Sequence, residues 1–236
     1  MIRKQTALVT GGAKRVGKEI VTRLAREGFD VHFTYASSEE DARALVAEIK
    51  STAASATGYA VDLKKADDVQ RLVESMHTIG ALDVLVNNAS MYVPDTSADC
   101  VDLMRVNYEA PLQLTTGVAS LLKQSRGHVV NMLDIMVSKP WPAYARYCAS
   151  KAALQNATLS LARTLAPEVT VNGIAPGVVD WPDDMALAQR EAYLKKVPLA
   201  RAGTPGDVSA LLHFLVTGGN YITGQVIALD GGRSLV

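Results

Sequence analysis

Tyr147 and Lys151 stand four residues apart in a segment of helical period, so both side chains project from one face. A phenol handles protons poorly at neutral pH because its pKa is about 10, but a neighbouring ammonium stabilises the phenolate and lowers it. A lone Tyr-x-x-x-Lys is as readily a surface pair, and its weight comes from what precedes it. Thr10-Gly11-Gly12-Ala13-Lys14-Arg15-Val16-Gly17 lies where an apolar run hands over to helical period. Glycines in such a turn permit positive φ and close backbone approach, and the unpaired N–H groups of the helix start can face a pyrophosphate. The chain thus offers a phosphate cradle and, later, a proton-handling pair.

Sites that prefer NAD usually place an acid near the end of the second strand to bond the ribose 2′-hydroxyl. Here that stretch reads Thr34-Tyr35-Ala36-Ser37-Ser38, with no acid before Glu39. Lys14 and Arg15 add cations, and the serine hydroxyls can donate to a 2′-phosphate, so the expected cofactor is NADP(H). Lys14 could instead be a solvated surface lysine.

The elements that must position these residues alternate. Strand-like runs at Thr6–Thr10, Asp30–Tyr35, Gly58–Val61, Val84–Asn87, His128–Met132, Thr170–Ile174 and Gln225–Leu229 are separated by helical segments. The helical segments are Gly17–Glu27, Glu39–Ile49, Ala66–Met76, about Asp99 to Leu122, Tyr144–Leu165 and Pro205–Phe214. This is βαβ rhythm with near-continuously apolar strands, as in a parallel sheet covered on both faces. Between Pro176 and Pro198 the pattern loosens through Trp181-Pro182-Asp183-Asp184 and a short helical candidate at Met185–Lys195, which reads as a loop over a substrate. No repeat or linker divides residues 1–236, which predicts one domain.

The 24 basic residues balance 24 acidic ones and 48% of the chain is hydrophobic, which excludes a polyanion-binding or disordered protein. Nucleic acid is therefore not an expected partner. The short charged start leads straight into Thr6-Ala7-Leu8-Val9, and no apolar run approaches the roughly 18–20 residues of a membrane span. The expectation is a cytoplasmic protein with no membrane partner. Cys100 and Cys148 read as reduced thiols, and the four histidines His32, His77, His128 and His213 lack ligand spacing, so no metal is expected.

Taken in order, these motifs resemble the classical short-chain dehydrogenase/reductase family over essentially the whole chain. Thr10 to Gly17 is similar to its glycine motif, including Gly11, Val16 and Gly17. Asp62-Leu63 resembles its adenine-contacting pair, and Asn87-Asn88-Ala89 its fourth-strand motif. Asn107, Tyr147 and Lys151 resemble its catalytic residues, Pro176-Gly177 its sixth-strand turn, and Asp230-Gly231-Gly232 its C-terminal pattern. The resemblance implies an α/β fold: a doubly wound Rossmann-type domain with a seven-stranded parallel sheet, hydride transfer from a nicotinamide, and commonly a homotetramer. It implies Tyr147 as proton donor, Lys151 as ribose-binding and pKa-lowering cation, and Asn107 as holder of a relay water.

Two departures are informative. The family's middle glycine is Arg15, and the serine usually found thirteen residues before the tyrosine is Asp134. A serine hydroxyl suits a carbonyl oxygen gathering negative charge, whereas a carboxylate repels it. A heterocycle with C=N bonds instead needs protons delivered to ring nitrogen, which an acid hydrogen-bonded to the tyrosine can relay. Both changes resemble the pteridine reductase branch, which also has a serine and an aromatic at the places of Ser90 and Tyr92. The resemblance implies a substrate site of Arg15, Ser90, Tyr92, Asp134 and Tyr147, with the pterin between nicotinamide and aromatic ring, and Trp181 as a further wall.

Plainer roles compete. Tyr92 could pack in a loop, Asp134 could cap a turn or pair with Arg15 or Arg146, and Arg15 could cover apolar surface with its stem. Cys148 points roughly 100° away from Tyr147 on a helix, as a packing residue would. The leading expectation is an NADPH-dependent reductase of a pterin or dihydrofolate-like heterocycle. The alternatives are an NADPH-dependent carbonyl reductase of the 3-oxoacyl thioester type and a non-catalytic NADP-binding regulator.

Overall fold

The computed structural model describes residues 3–181 and 185–236, so Pro182, Asp183 and Asp184 of the expected loop lie outside the described residues. Seven strands, β1 (Thr6–Val9), β2 (Asp30–Tyr35), β3 (Ser55–Ala60), β4 (Val84–Asn87), β5 (His128–Met132), β6 (Thr170–Pro176) and β7 (Val226–Leu229), form one sheet. Every pairing is parallel and the order is β3-β2-β1-β4-β5-β6-β7. The described helices are α1 (Arg15–Arg26), α2 (Glu39–Lys50), α3 (Ala66–Ile79), α4 (Ala110–Gly117), α5 (Ala119–Ser125), α6 (Ala145–Leu165), α7 (Leu187–Leu194) and α8 (Pro205–Thr217).

Alternation along each strand explains why the strands are apolar throughout. Ala7 and Val9 of β1 and Val84 and Val86 of β4 enter a core with Ile20, Leu24, Leu45 and Leu212 from α1, α2 and α8. Leu8 and Leu85 point the other way, into Leu72 and Met76 of α3, Leu114 of α4 and Leu161 of α6. Both faces are therefore covered, as a parallel sheet requires. Asp83, 5% exposed, anchors the base of the sheet: it accepts from the Thr6 backbone N–H at 2.7 Å and from both terminal nitrogens of Arg3 at 2.9 and 2.7 Å.

Two expected elements are corrected. The stretch from Asp99 to Leu122 is not one helix: it opens with a 3₁₀ turn at Ala98–Asp102, widens to a π turn at Arg105–Glu109 and continues as α4 and α5. Pro111 has no N–H to give the carbonyl of Asn107, which interrupts the α-helical ladder there. The third strand starts three residues earlier than expected, at Ser55, because pairing with all six residues of β2 recruits small and polar residues that carry no strand signal of their own.

Gly17 lies in the first turn of α1, where an added Cβ would lie 2.0 Å from the Gly11 carbonyl oxygen and 2.8 Å from Asn88 Nδ2. Neither neighbour can yield, since one is backbone and the other is hydrogen-bonded to it. Gly17→Ala is expected to cost about 3 kcal/mol in a denaturation curve and to abolish nucleotide binding; a variant with wild-type stability would contradict this packing.

Candidate active site

Strand order reverses between β1 and β4, and ligands of open parallel sheets bind beyond the carboxyl ends of the strands at such a point. A cavity of about 530 Å³ opens there. It is lined by thirteen of the residues singled out in the sequence: Gly11, Lys14, Arg15, Val16, Gly17, Asn88, Ala89, Ser90, Tyr92, Asp134, Tyr147, Pro176 and Gly177. Tyr35, Ser37 and Ser38 lie instead at the end of β2, and Asp62 and Leu63 follow β3, with Leu63 buried. Asp62 uses Oδ1 to accept from the Lys64 N–H at 3.0 Å.

The glycine turn is braced from β4. Asn88 Nδ2 donates to the carbonyls of Thr10 (2.9 Å) and Gly11 (3.1 Å), while the N–H groups of Asn88 and Ala89 both donate to Thr10 Oγ1 at 3.0 Å. Gly11 has φ +65, and Arg15 keeps a glycine-like φ of +53. An arginine held in that conformation is strained, and its side chain has a defined partner: Nε donates to Asp180 Oδ2 at 2.5 Å, across the cleft on the loop after β6. Arg15 therefore pairs with Asp180, not Asp134. Lys14 reaches Asp41 in the first turn of α2 at 2.8 Å.

Asp134 follows the end of β5 and serves two partners. Its Oδ1 accepts from the Met136 N–H at 2.8 Å, capping the 3₁₀ turn Ile135–Val137, and its Oδ2 accepts from the Tyr147 hydroxyl at 2.8 Å. The turn cap and the tyrosine contact, alternatives in the sequence, are one carboxylate's two oxygens. Lys151, 2% exposed, donates from Nζ to the Met132 carbonyl at 2.7 Å and sits 5.9 Å from the Tyr147 ring centroid.

Asn107 is fully buried in the π turn, and its amide is saturated. Oδ1 accepts from Met91 N (2.8 Å) and Ser90 Oγ (3.3 Å), and Nδ2 donates to Met91 O (2.9 Å) and Ser150 Oγ (3.0 Å). The donors and acceptors of its side-chain amide are therefore all engaged within the protein. What it does is tie the loop after β4 to α6.

Tyr92 is 45% exposed, stacks on Tyr144 (4.7 Å, 8°) and meets Tyr147 edge to face (4.8 Å, 86°). Trp181 does not line the cavity, contrary to expectation: it packs edge to face on Tyr193 at 5.6 Å and against the Arg190 guanidinium at 5.7 Å, on the α7 side. Tyr193 itself is a lining residue that sequence reading missed, as are Asp180 and Arg233. The Tyr193 hydroxyl accepts from the Val178 N–H at 3.3 Å, and the Arg233 guanidinium lies 5.7 Å from its ring. No motif spacing links these positions; only the parallel return of β6 and β7 brings them together.

A family model for short chain dehydrogenase matches residues 5–192. The chain belongs to the short-chain dehydrogenase family. Among its relatives, the 3-oxoacyl-(acyl-carrier-protein) reductase of Staphylococcus aureus is 33% identical, covering 97% of each chain. The corresponding reductase of Synechocystis is 35% identical over 97% of this chain and 96% of its own. Pteridine reductase 1 of Leishmania tarentolae is 33% identical, with the same two shares.

As a short-chain dehydrogenase the protein is an oxidoreductase whose family implies a nicotinamide dinucleotide, and the cleft fits one. The turn has no room for side chains at Gly17, no side chain caps α1, and no acidic residue lies in the first turn of that helix to repel a pyrophosphate. Gly11 to Gly17, Asn88 and Ala89 would hold the phosphates, with Pro176 and Gly177 toward the nicotinamide end, while Lys151, buried on the Met132 carbonyl, does not line the cavity. Among the described residues, no cluster of three or more His, Cys, Asp or Glu side chains is placed to hold a metal, and no helix is long and apolar enough to cross a membrane.

Burial first and the Asp134 carboxylate second push the Tyr147 phenol well above its ordinary value. Burial also raises Asp134, against the opposing hydrogen bonds from Met136 and Tyr147, and lowers Lys151 to about 8 despite attraction from Asp134.

Two outcomes follow. Arg15→Gly and Arg15→Ala both lose the Asp180 pair, but only alanine keeps the left-handed strain, so the glycine variant should melt as the more stable by about 1 kcal/mol. For Lys151, the unfolded chain binds more proton than the native one between about pH 8 and the unfolded lysine pKa of about 10.4. Its contribution to stability therefore rises with pH across that window, and denaturation of Lys151→Met against wild type should show that rise missing from the variant.

Proposed function

We propose that this oxidoreductase uses NADPH to reduce a pterin or dihydrofolate-like heterocycle. The observation that carries the reading is the 2.8 Å hydrogen bond from Tyr147 to Asp134 at the cavity wall. A carboxylate there repels the oxyanion that develops when a ketone is reduced. When protonated, the same group becomes a proton reservoir, and burial favours that form by raising its pKa.

When bound, a reduced nicotinamide supplies the hydride. Tyr147 then gives its hydroxyl proton to a ring nitrogen beside the reduced carbon, and the proton on Asp134 passes to the Tyr147 oxygen. Lys151 stabilises the carboxylate left behind, whose attraction opposes the burial that lowers the lysine. Tyr92 and Ser90 on one side and Arg15 on the other offer a flat substrate an aromatic face, a hydroxyl and a cation. The preference for NADP(H) is supported by the absence of an acid at the end of β2 and by Lys14, whose exposed pair with Asp41 a 2′-phosphate can displace.

The homotetramer is supported by apolar side chains left on the surface, Leu159, Phe214 and the fully exposed Tyr221. A cytoplasmic location is supported by two free, buried cysteines. Taking residues 1–236 as one domain is supported by the continuous sheet.

Overall likeness favours a second reading, reduction of a 3-oxoacyl thioester. The bacterial oxoacyl reductases align over 239 positions, whereas the pteridine reductase reaches its 33% identity through an alignment stretched to 278. As whole-chain comparison this is the stronger support, and it is set against Asp134, Tyr92 and Arg15 at the cavity.

NADPH oxidation by the purified protein separates the two. Dihydrobiopterin and dihydrofolate are run against an acetoacetyl thioester, with Asp134→Ser, Asp134→Ala and Tyr147→Phe. Pterin turnover falling by about 10²-fold or more in Asp134→Ala and Tyr147→Phe, with ketone activity gained in Asp134→Ser, is the expected result. Thioester turnover alone in the wild type establishes the second reading.

A further inference from the structure

Helix α6 brings Tyr147 to the site in its first turn, yet the residue at its N-terminal boundary, Tyr144, provides no side-chain cap. The cap comes from Asp95, in the loop that follows β4. Its Oδ2 accepts from the Ala145 N–H at 2.9 Å and its Oδ1 from the Arg146 N–H at 3.0 Å, while its own N–H donates to the Ala143 carbonyl at 2.7 Å. A carboxylate is well suited to that place, where the exposed N–H groups of a helix start carry partial positive charge. Ala143 is held at φ +67, a left-handed conformation that an alanine keeps only when its surroundings impose it.

These three bonds bracket Tyr144, and Asp95 lies three residues beyond Tyr92. The same two segments therefore meet twice, through the Asp95 cap and through the stack of Tyr92 on Tyr144. Tyr144 does not line the cavity, whereas Tyr92 and Tyr147 do. Tyr144 thus backs Tyr92, and the angle of 86° between Tyr92 and Tyr147 is fixed by groups outside the cavity.

We propose that Asp95 and Tyr144 are positioning residues that hold the plane of Tyr92 against the Tyr147 hydroxyl, and thereby select a flat heterocycle over a flexible acyl chain. The inference rests on the heterocycle reading of the site. A planar substrate gains stacking only when the ring it meets is held at a fixed tilt beside the proton donor, while an acyl chain makes no such demand.

The test uses the full chain with Asp95→Ala, Asp95→Asn, Tyr144→Ala and Tyr144→Phe, recording KM and kcat for dihydrobiopterin and the dissociation constant of NADPH by nicotinamide fluorescence. Asp95→Ala and Tyr144→Ala are expected to raise the pterin KM about tenfold while NADPH affinity holds, as loss of a stacking geometry would. Tyr144→Phe, which keeps the ring, and Asp95→Asn, which keeps one acceptor oxygen, should recover most and part of that loss. If Asp95→Ala fails to fold, the Tyr144 pair carries the test alone. An unchanged pterin KM in Tyr144→Ala, or a loss of NADPH affinity in parallel with the KM rise, overturns the inference and leaves the functional reading standing. A wild type that reduces the thioester and no pterin overturns both.

Discussion

A lysine ammonium buried at the head of the sheet has to be balanced, and much of the site is arranged around that need. Lys151 has lost nearly all contact with water, so its charge depends on the Met132 carbonyl and on the nearby Asp134. The carbonyl is available because β5 ends at Met132, and Asp134 follows two residues later. The approach of α6 to β5 is set by a buried polar ladder. Asn87 donates to Asn131 at 2.8 Å and to Thr115 at 3.1 Å, and Asn131 donates to Thr158 of α6 at 2.8 Å. These side chains link α4, β4, β5 and α6, so the lysine's depth and the spacing of the strands are one constraint.

The same burial acts oppositely on neighbouring groups. It lowers the lysine and raises both the aspartate and the tyrosine, narrowing the difference between carboxylate and phenol only if Asp134 takes up a proton. With Asp134 ionised, the Tyr147 proton is directed at the carboxylate. With Asp134 protonated, the tyrosine oxygen has a donor behind it and is free to give its own proton forward. A serine at that position could not change character in this way, since its hydroxyl does not titrate in the accessible range. An aspartate at that position is thus a proton store where a serine would be a fixed dipole.

The sheet was legible in the sequence where both of a strand's faces are buried: β2, β4 and β5 have the bounds that their apolar runs suggest. It was illegible where tertiary pairing outranks side-chain pattern, as at Ser55 to Thr57 on the sheet edge. The site divides similarly. Gly11 to Gly17, Asn88 to Tyr92, Asp134 and Tyr147 converge because they sit at strand ends and on one helix turn, which period alone locates. Asp180, Tyr193 and Arg233 arrive from irregular or late segments whose spacing encodes nothing, and Trp181 was misjudged because Tyr193 and Arg190 draw it off the wall. Asn107 was found by motif, but only its neighbours reveal that its amide is spent on holding two segments together.

Whole-chain likeness and local chemistry measure different things, which is why they point to different substrates here. Identity of about one third over 97% of the chain is what a shared scaffold gives, and a scaffold serves many substrates. Substrate choice depends on the few atoms that meet developing charge. At Asp134 an ionised carboxylate repels an oxyanion where a hydroxyl attracts it, whereas the protonated acid donates a hydrogen bond, so the sign of that interaction depends on the proton. Arg15 adds a second departure: an arginine strained at positive φ is held beside the cavity by Asp180, with its side chain still open to solvent. The two departures, Asp134 and Arg15, converge on one cavity, so a difference in substrate choice between relatives of equal overall likeness would be decided there.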